Sequence, residues 1–135
     1  MKSSSRSDGA EAAFRLFVRL GLDKAENYFE LAERAVGVCG AGAAEMLAVA
    51  DTLRLLSCTG REAEAFAVRE VYMRRVRGRL RAGDVSAAVQ WTARALHCDE
   101  RTVYRYLSSA RALWRRLSDG YRRAGFPGRP RAGRG

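Results

Sequence analysis

Arginine is the side chain with most chemistry to offer in this sequence, supplying 23 of its 25 basic residues. A guanidinium is a flat, permanently charged fork of N–H donors that fits two phosphate oxygens or the O6/N7 edge of guanine. Arg101 and Arg105 stand four apart, and with Glu100, Tyr104 and Ser108 they share one side of a helix. A second group, Arg74, Arg75, Arg77, Arg79 and Arg81, crowds the stretch RRVRGRLR. Such a run is either a solvated face or a surface that touches phosphates. Further along, Arg111, Arg115 and Arg116 lie on a helix whose apolar stripe is Ala110, Leu113, Trp114 and Leu117. Coding-DNA composition alone can raise an arginine share, so position is the better guide. Residues 1–60 hold seven basic and eight acidic residues, and residues 61–135 hold 18 and seven, so the net charge of +10 lies wholly in the second half. One-sided basic charge points to a polyanion, and nucleic acid is the commonest.

Other chemistries lack their residues. Catalysis needs acids, bases or nucleophiles that converge. The lone histidine, His97, adjoins Cys98, and neighbours in sequence seldom form a dyad. No H-E-x-x-H, G-x-S-x-G, P-loop or carboxylate cluster occurs, so no enzyme is expected. Cys39, Cys58 and Cys98 are odd in number and widely spaced, which fits reduced, mostly buried thiols rather than a zinc set. No metal or cofactor is expected. VGVCGAG at 36–42 superficially resembles a dinucleotide-binding turn, but position 45 is Glu and the residues before it read as helix. A tight interhelical turn accounts for it.

The elements that must position these arginines are helical. With 47% apolar residues the chain can build a core, and no sustained period-2 alternation is present. The expected fold class is all-α: a small helical bundle with a C-terminal helix-turn-helix. Ala12, Ala13, Leu16, Phe17 and Leu20 form one face of a first helix that Gly21 stops. Asp23 with Glu26 reads as a capping box for a second, carrying Tyr28, Leu31, Ala32 and Ala35 and ending around Gly37 to Gly42. A third spans 43–57, with Met46, Leu47, Ala50, Leu53 and Leu56 inward, and Thr59-Gly60 closes it. A fourth runs over 62–81. Residues 1–8 and the Gly/Pro/Arg-rich stretch 125–135 read as disordered, the latter a candidate phosphate-contacting arm. Between them lie an N-terminal helical segment, 9–60, for packing or dimerisation, and a DNA-binding segment, 61–124. No apolar run approaches ~18 residues and no signal peptide is evident, so a cytoplasmic protein without a membrane partner is expected.

The stretch AVQWTARALHCDERTVYRYLS, residues 88–108, joins two helices through a tight turn. Ala93 is the small residue at the crossing and Leu96 the apolar residue before the turn. His97 takes the turn position, where Gly is usual, Cys98 follows, Asp99 is the N-cap and Val103 anchors the second helix. Tyr106 and Leu107 continue the buried stripe. In a DNA-reading motif of this form the second helix enters the major groove. Arg101 and Arg105 would then read bases, while Thr102 and Tyr104 donate to phosphates. Trp91 and Trp114 read as core residues. The same pattern also fits a helical hairpin with no DNA role.

ALHCDERTVYRYLSSARALW, with EVYMRR upstream, resembles the C-terminal helix-turn-helix of prophage-encoded late-gene activators of the RinA/ArpU kind, a module similar to region 4 of sigma-70-type factors. The resemblance covers about residues 65–117. It implies transcription control in a phage or prophage setting, with RNA polymerase as a partner beside double-stranded DNA. The competing expectation is a small helical phage protein that inhibits a host protein without reading DNA. Because one such motif reads only a few base pairs, the motif-free helices of 11–57 are expected to join two protomers. Otherwise they complete a monomeric core.

Overall fold

The structure, a computed structural model, describes residues 9–74 and 84–126. The fold is all-α, with no strand among the described residues. In chain order the helices are α1 (Ala10–Arg19), α2 (Tyr28–Cys39), α3 (Ala43–Cys58), α4 (Glu62–Val68), α5 (Asp84–Leu96) and α6 (Glu100–Arg123). Short 3₁₀ turns at Leu22–Lys24 and Gly40–Gly42 link α1 to α2 and α2 to α3. α4 continues directly into a π-helical turn, Arg69–Met73.

α3 and α6 form the centre of the bundle, and α6 also packs on α1, α4 and α5. α3 is buried on nearly all sides, through Ala43, Ala44, Met46, Leu47, Ala48, Val49, Thr52 and Leu56. A helix apolar all round belongs in a core. The hydroxyl of Thr52, fully buried, donates to Ala48 O at 2.7 Å, which satisfies it without a partner helix. Trp114 of α6 reaches α3, where its indole N–H donates to Glu45 O at 3.1 Å. One continuous hydrophobic cluster thus draws on both the 9–60 and the 61–124 segments.

Several sequence expectations need correction. The buried stripe of α1 is Ala10, Ala13, Phe14 and Phe17, whereas Ala12 is exposed. Asp23 does not cap α2. Gly21, at φ 76°, turns the chain so that Leu22 buries itself, and residues 22–24 form a 3₁₀ turn. The cap falls four residues later, where Asn27 Oδ1 accepts from Glu30 N at 2.8 Å and Glu30 Oε1 accepts from Glu26 N at 3.0 Å. Tyr28 is exposed rather than inward. α2 runs through Gly37 and stops at Gly40, φ 56°. Of the 36–42 stretch, residues 36–39 are the last turn of α2, and Gly40–Gly42 form the interhelical turn.

The fourth helix ends at Met73, not Arg81, because Arg74 is extended at ψ 136°. Val71, Tyr72 and Met73 are consecutively buried, and a single α-helical stripe cannot do that. The wider π turn accommodates them. The stretch from Tyr28 to Cys58 is helical throughout, and 18 residues within it average a hydropathy of 1.4, long and apolar enough by length and composition alone to cross a bilayer. The expectation of no such run is therefore amended. Gly40 divides the stretch into two helices of 12 and 16 residues.

α6 closes with Gly125 at φ 85°: Phe126 N donates to Tyr121 O at 2.9 Å and Gly125 N to Arg122 O at 3.0 Å. The Phe126 ring lies 5.3 Å from that of Tyr121, so Gly125 and Phe126, expected to begin the tail, instead close the helix. Residues 1–8 and 127–135 lie outside the described residues.

Candidate nucleic-acid interface

The turn between α5 and α6 is three residues long, and each does a separate job. Cys98 N donates to Ala93 O at 2.9 Å and His97 N to Arg94 O at 3.2 Å, the paired bonds that satisfy carbonyls at a helix C-terminus. They require a left-handed residue between them, and His97 supplies it at φ 57°. Among the described residues it is the one non-glycine with positive φ. Asp99 then starts α6: its Oδ1 accepts from Thr102 N at 2.9 Å. That hydrogen bond to Thr102, aided by Arg101 and Arg105, holds the Asp99 carboxyl below the usual carboxylate range.

The slots assigned from sequence hold as positions. Ala93, Val103 and Leu107 are buried, Cys98 and Tyr106 are half-buried against the core, and Leu96 is half-buried. On α5 the inward stripe is Val85, Ala88, Val89, Thr92 and Ala93. The hydroxyl of the buried Thr92 donates to Ala88 O at 2.7 Å. On α6 the stripe continues through Ala110, Trp114 and Ser118. Arg61 Nη2 donates to Ser109 Oγ at 2.8 Å, pinning the start of α4 to the side of α6.

With that stripe inward, Glu100, Arg101, Tyr104, Arg105 and Ser108 are left exposed together over the first two turns of α6. Tyr104 keeps 46% of its surface in solvent. Thr102 is half-buried, with its N–H spent on the cap and its Oγ1 accepting from Arg105 Nη2 at 3.3 Å. Arg111 is placed differently from Arg101 and Arg105. It is half-buried and donates Nη1 to Tyr72 Oη at 2.8 Å, which ties α6 to the π turn. Burial pushes the Tyr72 phenol up to about 12 against the pull of Arg111, so it stays neutral and accepts that bond at any ordinary pH. No family model, curated protein or solved structure matches this chain.

Of the upstream arginines, Arg74 is described, and Arg75, Arg77 and Arg79 lie outside the described residues. Arg74 pairs with Glu70 at 3.1 Å and lies 5.6 Å from the centre of the Trp91 ring. Trp91 was expected in the core but is 45% exposed, stacked on Phe66 at 6.1 Å. Its position between Val89 and Thr92 falls off the α5 stripe, a signal the sequence did carry. Trp114 is buried as expected. Arg94, exposed on the last turn of α5, and the carboxylate of Glu100 are further polar groups on the two helices that sequence reading assigned no contact. Glu100 thus places a carboxylate acceptor on a face otherwise made of arginine and hydroxyl groups.

Among the described residues no three His, Cys, Asp or Glu side chains gather in a metal-binding group. Cys39 and Cys98 are half-buried, and Cys58, expected inside, is exposed. Burial, with the nearby Glu45 carboxylate, raises the Cys39 thiol and leaves it protonated.

Proposed function

We propose that this chain is a sequence-specific DNA-binding transcriptional regulator, with α5 and α6 as its reading unit. The observation that carries the reading is the capped turn His97–Asp99, which buries Val103 and Leu107 and leaves Arg101, Tyr104, Arg105 and Ser108 exposed. In the proposed complex the N-terminal half of α6 lies in the major groove, Arg101 and Arg105 meet base edges, and Tyr104, Thr102 and Ser108 meet phosphates or base edges. Arg74 and the arginines of 75–79 add phosphate contacts, whereas Arg111 serves mainly to hold α6 on Tyr72. The sequence resemblance to prophage late-gene activators supports the same reading and is what suggests RNA polymerase as a second partner. No catalytic role is proposed.

Pairing of two protomers through the N-terminal helices belongs to this proposal. It is supported by α2, which buries only Leu31 and Ala35 and exposes Phe29, Val36 and Val38. Phe29 has 71% of its surface in solvent, unusual for a residue of its size. Two copies joined this way would carry two α6 helices to two half-sites.

Selection from random duplexes with the purified full chain tests the reading. The expected outcome is an enriched motif, repeated twice if the protomers pair. Recovery of unenriched DNA, together with tight capture of one host protein, would instead favour the interaction-protein alternative.

A further inference from the structure

Arg101 and Arg105 stand one turn apart on the exposed face of α6, yet only one of them is held. Arg105 Nη2 donates to Thr102 Oγ1 at 3.3 Å, which orients its guanidinium along the helix surface. Arg101 has no such partner among the described residues. Thr102 is itself fixed from the other side. Its N–H donates to Asp99 Oδ1 at 2.9 Å, and its hydroxyl bonds the same carboxylate. A hydroxyl has a single hydrogen, so spending it on Asp99 leaves the oxygen lone pairs to accept from Arg105. The N-cap carboxylate, the hydroxyl and the guanidinium thus form one polarised chain through residues 99, 102 and 105.

Resting on the reading of α6 as a DNA-binding helix, we infer that Thr102 is a positioning residue that fixes Arg105 to read a guanine. One N–H of Arg105 goes to Thr102, and the rest of its fork remains free for guanine O6 and N7. A held fork loses less side-chain freedom on binding than a free one, so Arg105 rather than Arg101 carries most of the discrimination. The acids beside it select a base over a phosphate. Asp99 and Glu100 are both exposed at the same leading end of α6. A phosphodiester, which offers only acceptors and a negative charge, would meet both carboxylates there. A G·C pair presents the guanine acceptors to Arg105 and the cytosine N4 amine to a carboxylate. Thr102 then serves recognition through Arg105 and not through a phosphate contact of its own.

The test uses the duplex enriched by selection with the full chain, and copies of it with 7-deazaguanine, which lacks the N7 acceptor, at each enriched guanine in turn. In fluorescence anisotropy the parent chain should lose about tenfold in affinity at one of these guanines. Arg105→Ala should bind that duplex and its analogue alike. Thr102→Val, nearly the same shape without the hydroxyl, should shrink the difference to about threefold or less, whereas Thr102→Ser should keep it. All three variants should bind random duplex within about twofold of the parent, which a purely structural role for Thr102 would not allow. If Thr102→Val fails to fold by circular dichroism, Thr102→Ala carries the same comparison. Full discrimination in Thr102→Val, the absence of any guanine at which Arg105→Ala abolishes the difference, or equal losses on enriched and random duplex would each overturn the inference. Failure to enrich any duplex would instead remove the reading of α6 itself, and this inference with it.

Discussion

α2 and α6 start alike and end up facing different worlds. Each begins on a short polar side chain that caps the third helical N–H, Asn27 for Glu30 and Asp99 for Thr102. Each buries one stripe against the bundle. Their outward faces diverge: α2 shows Phe29, Val36 and Val38, and α6 shows Arg101, Tyr104, Arg105 and Ser108. Capping and periodicity therefore account for where both helices lie and say nothing of what each meets. The outer face carries that information. An exposed apolar face suits another protein surface, and an exposed array of arginine and hydroxyl donors suits a polyanion.

The contrast between the inner and outer faces of α6 gives the largest expected effect. Trp114→Ala removes a buried ring and its bond to Glu45 O, and should cost about 3–5 kcal/mol in denaturant unfolding. A loss below ~1 kcal/mol would mean α6 is not the central helix. A smaller effect, of opposite sign, is expected at the turn. His97→Gly relieves a left-handed side chain at φ 57° and should stabilise the fold by up to about 1 kcal/mol, whereas a β-branched residue there should destabilise it. If His97→Gly is the less stable protein, the imidazole makes a contact that the turn geometry does not reveal. Smallest of all is Phe29→Ser on the outer face of α2, which should change monomer stability by less than ~0.5 kcal/mol. It should nevertheless convert a dimer to a monomer in light scattering at micromolar concentration. A mass unchanged by the substitution would separate α2 from any pairing surface.

The α5–α6 turn was legible because its signals are local. Ala93, Leu96, His97, Cys98, Asp99 and Val103 each had a slot defined by spacing, and each occupies it. The α1–α2 link was not, since Asp23-x-x-Glu26 and Asn27-x-x-Glu30 offer the same capping pattern four residues apart. Burial of Leu22 after the left-handed Gly21 chose the later one, and burial is a tertiary fact. The end of the fourth helix was misjudged for a similar reason. Val71, Tyr72, Val76 and Leu80 look like a continuing stripe, but Val71, Tyr72 and Met73 are buried in succession in a π turn that ends where Arg74 becomes extended, and Val76 and Leu80 lie outside the described residues. The candidate reading face was visible in outline. Trp91's place outside the core was signalled by its position off the α5 stripe; what the sequence could not convey was that Arg111 would turn to Tyr72 and that Arg74 would stand above the Trp91 ring.

The central claim, that α6 reads duplex DNA, is tested most directly by the affinity of paired variants on a selected site and on random duplex as salt is raised. Binding by the parent chain should fall steeply between ~50 and ~200 mM salt as counterions are released. Arg105→Ala should lose about 1–3 kcal/mol on the selected site, relax one base position and leave random-duplex binding nearly unchanged. Arg79→Ala should weaken both duplexes alike and flatten the salt slope. A flat salt response in the parent chain, or equal losses on both duplexes for Arg105→Ala, would contradict the assignment of α6 as the reading helix.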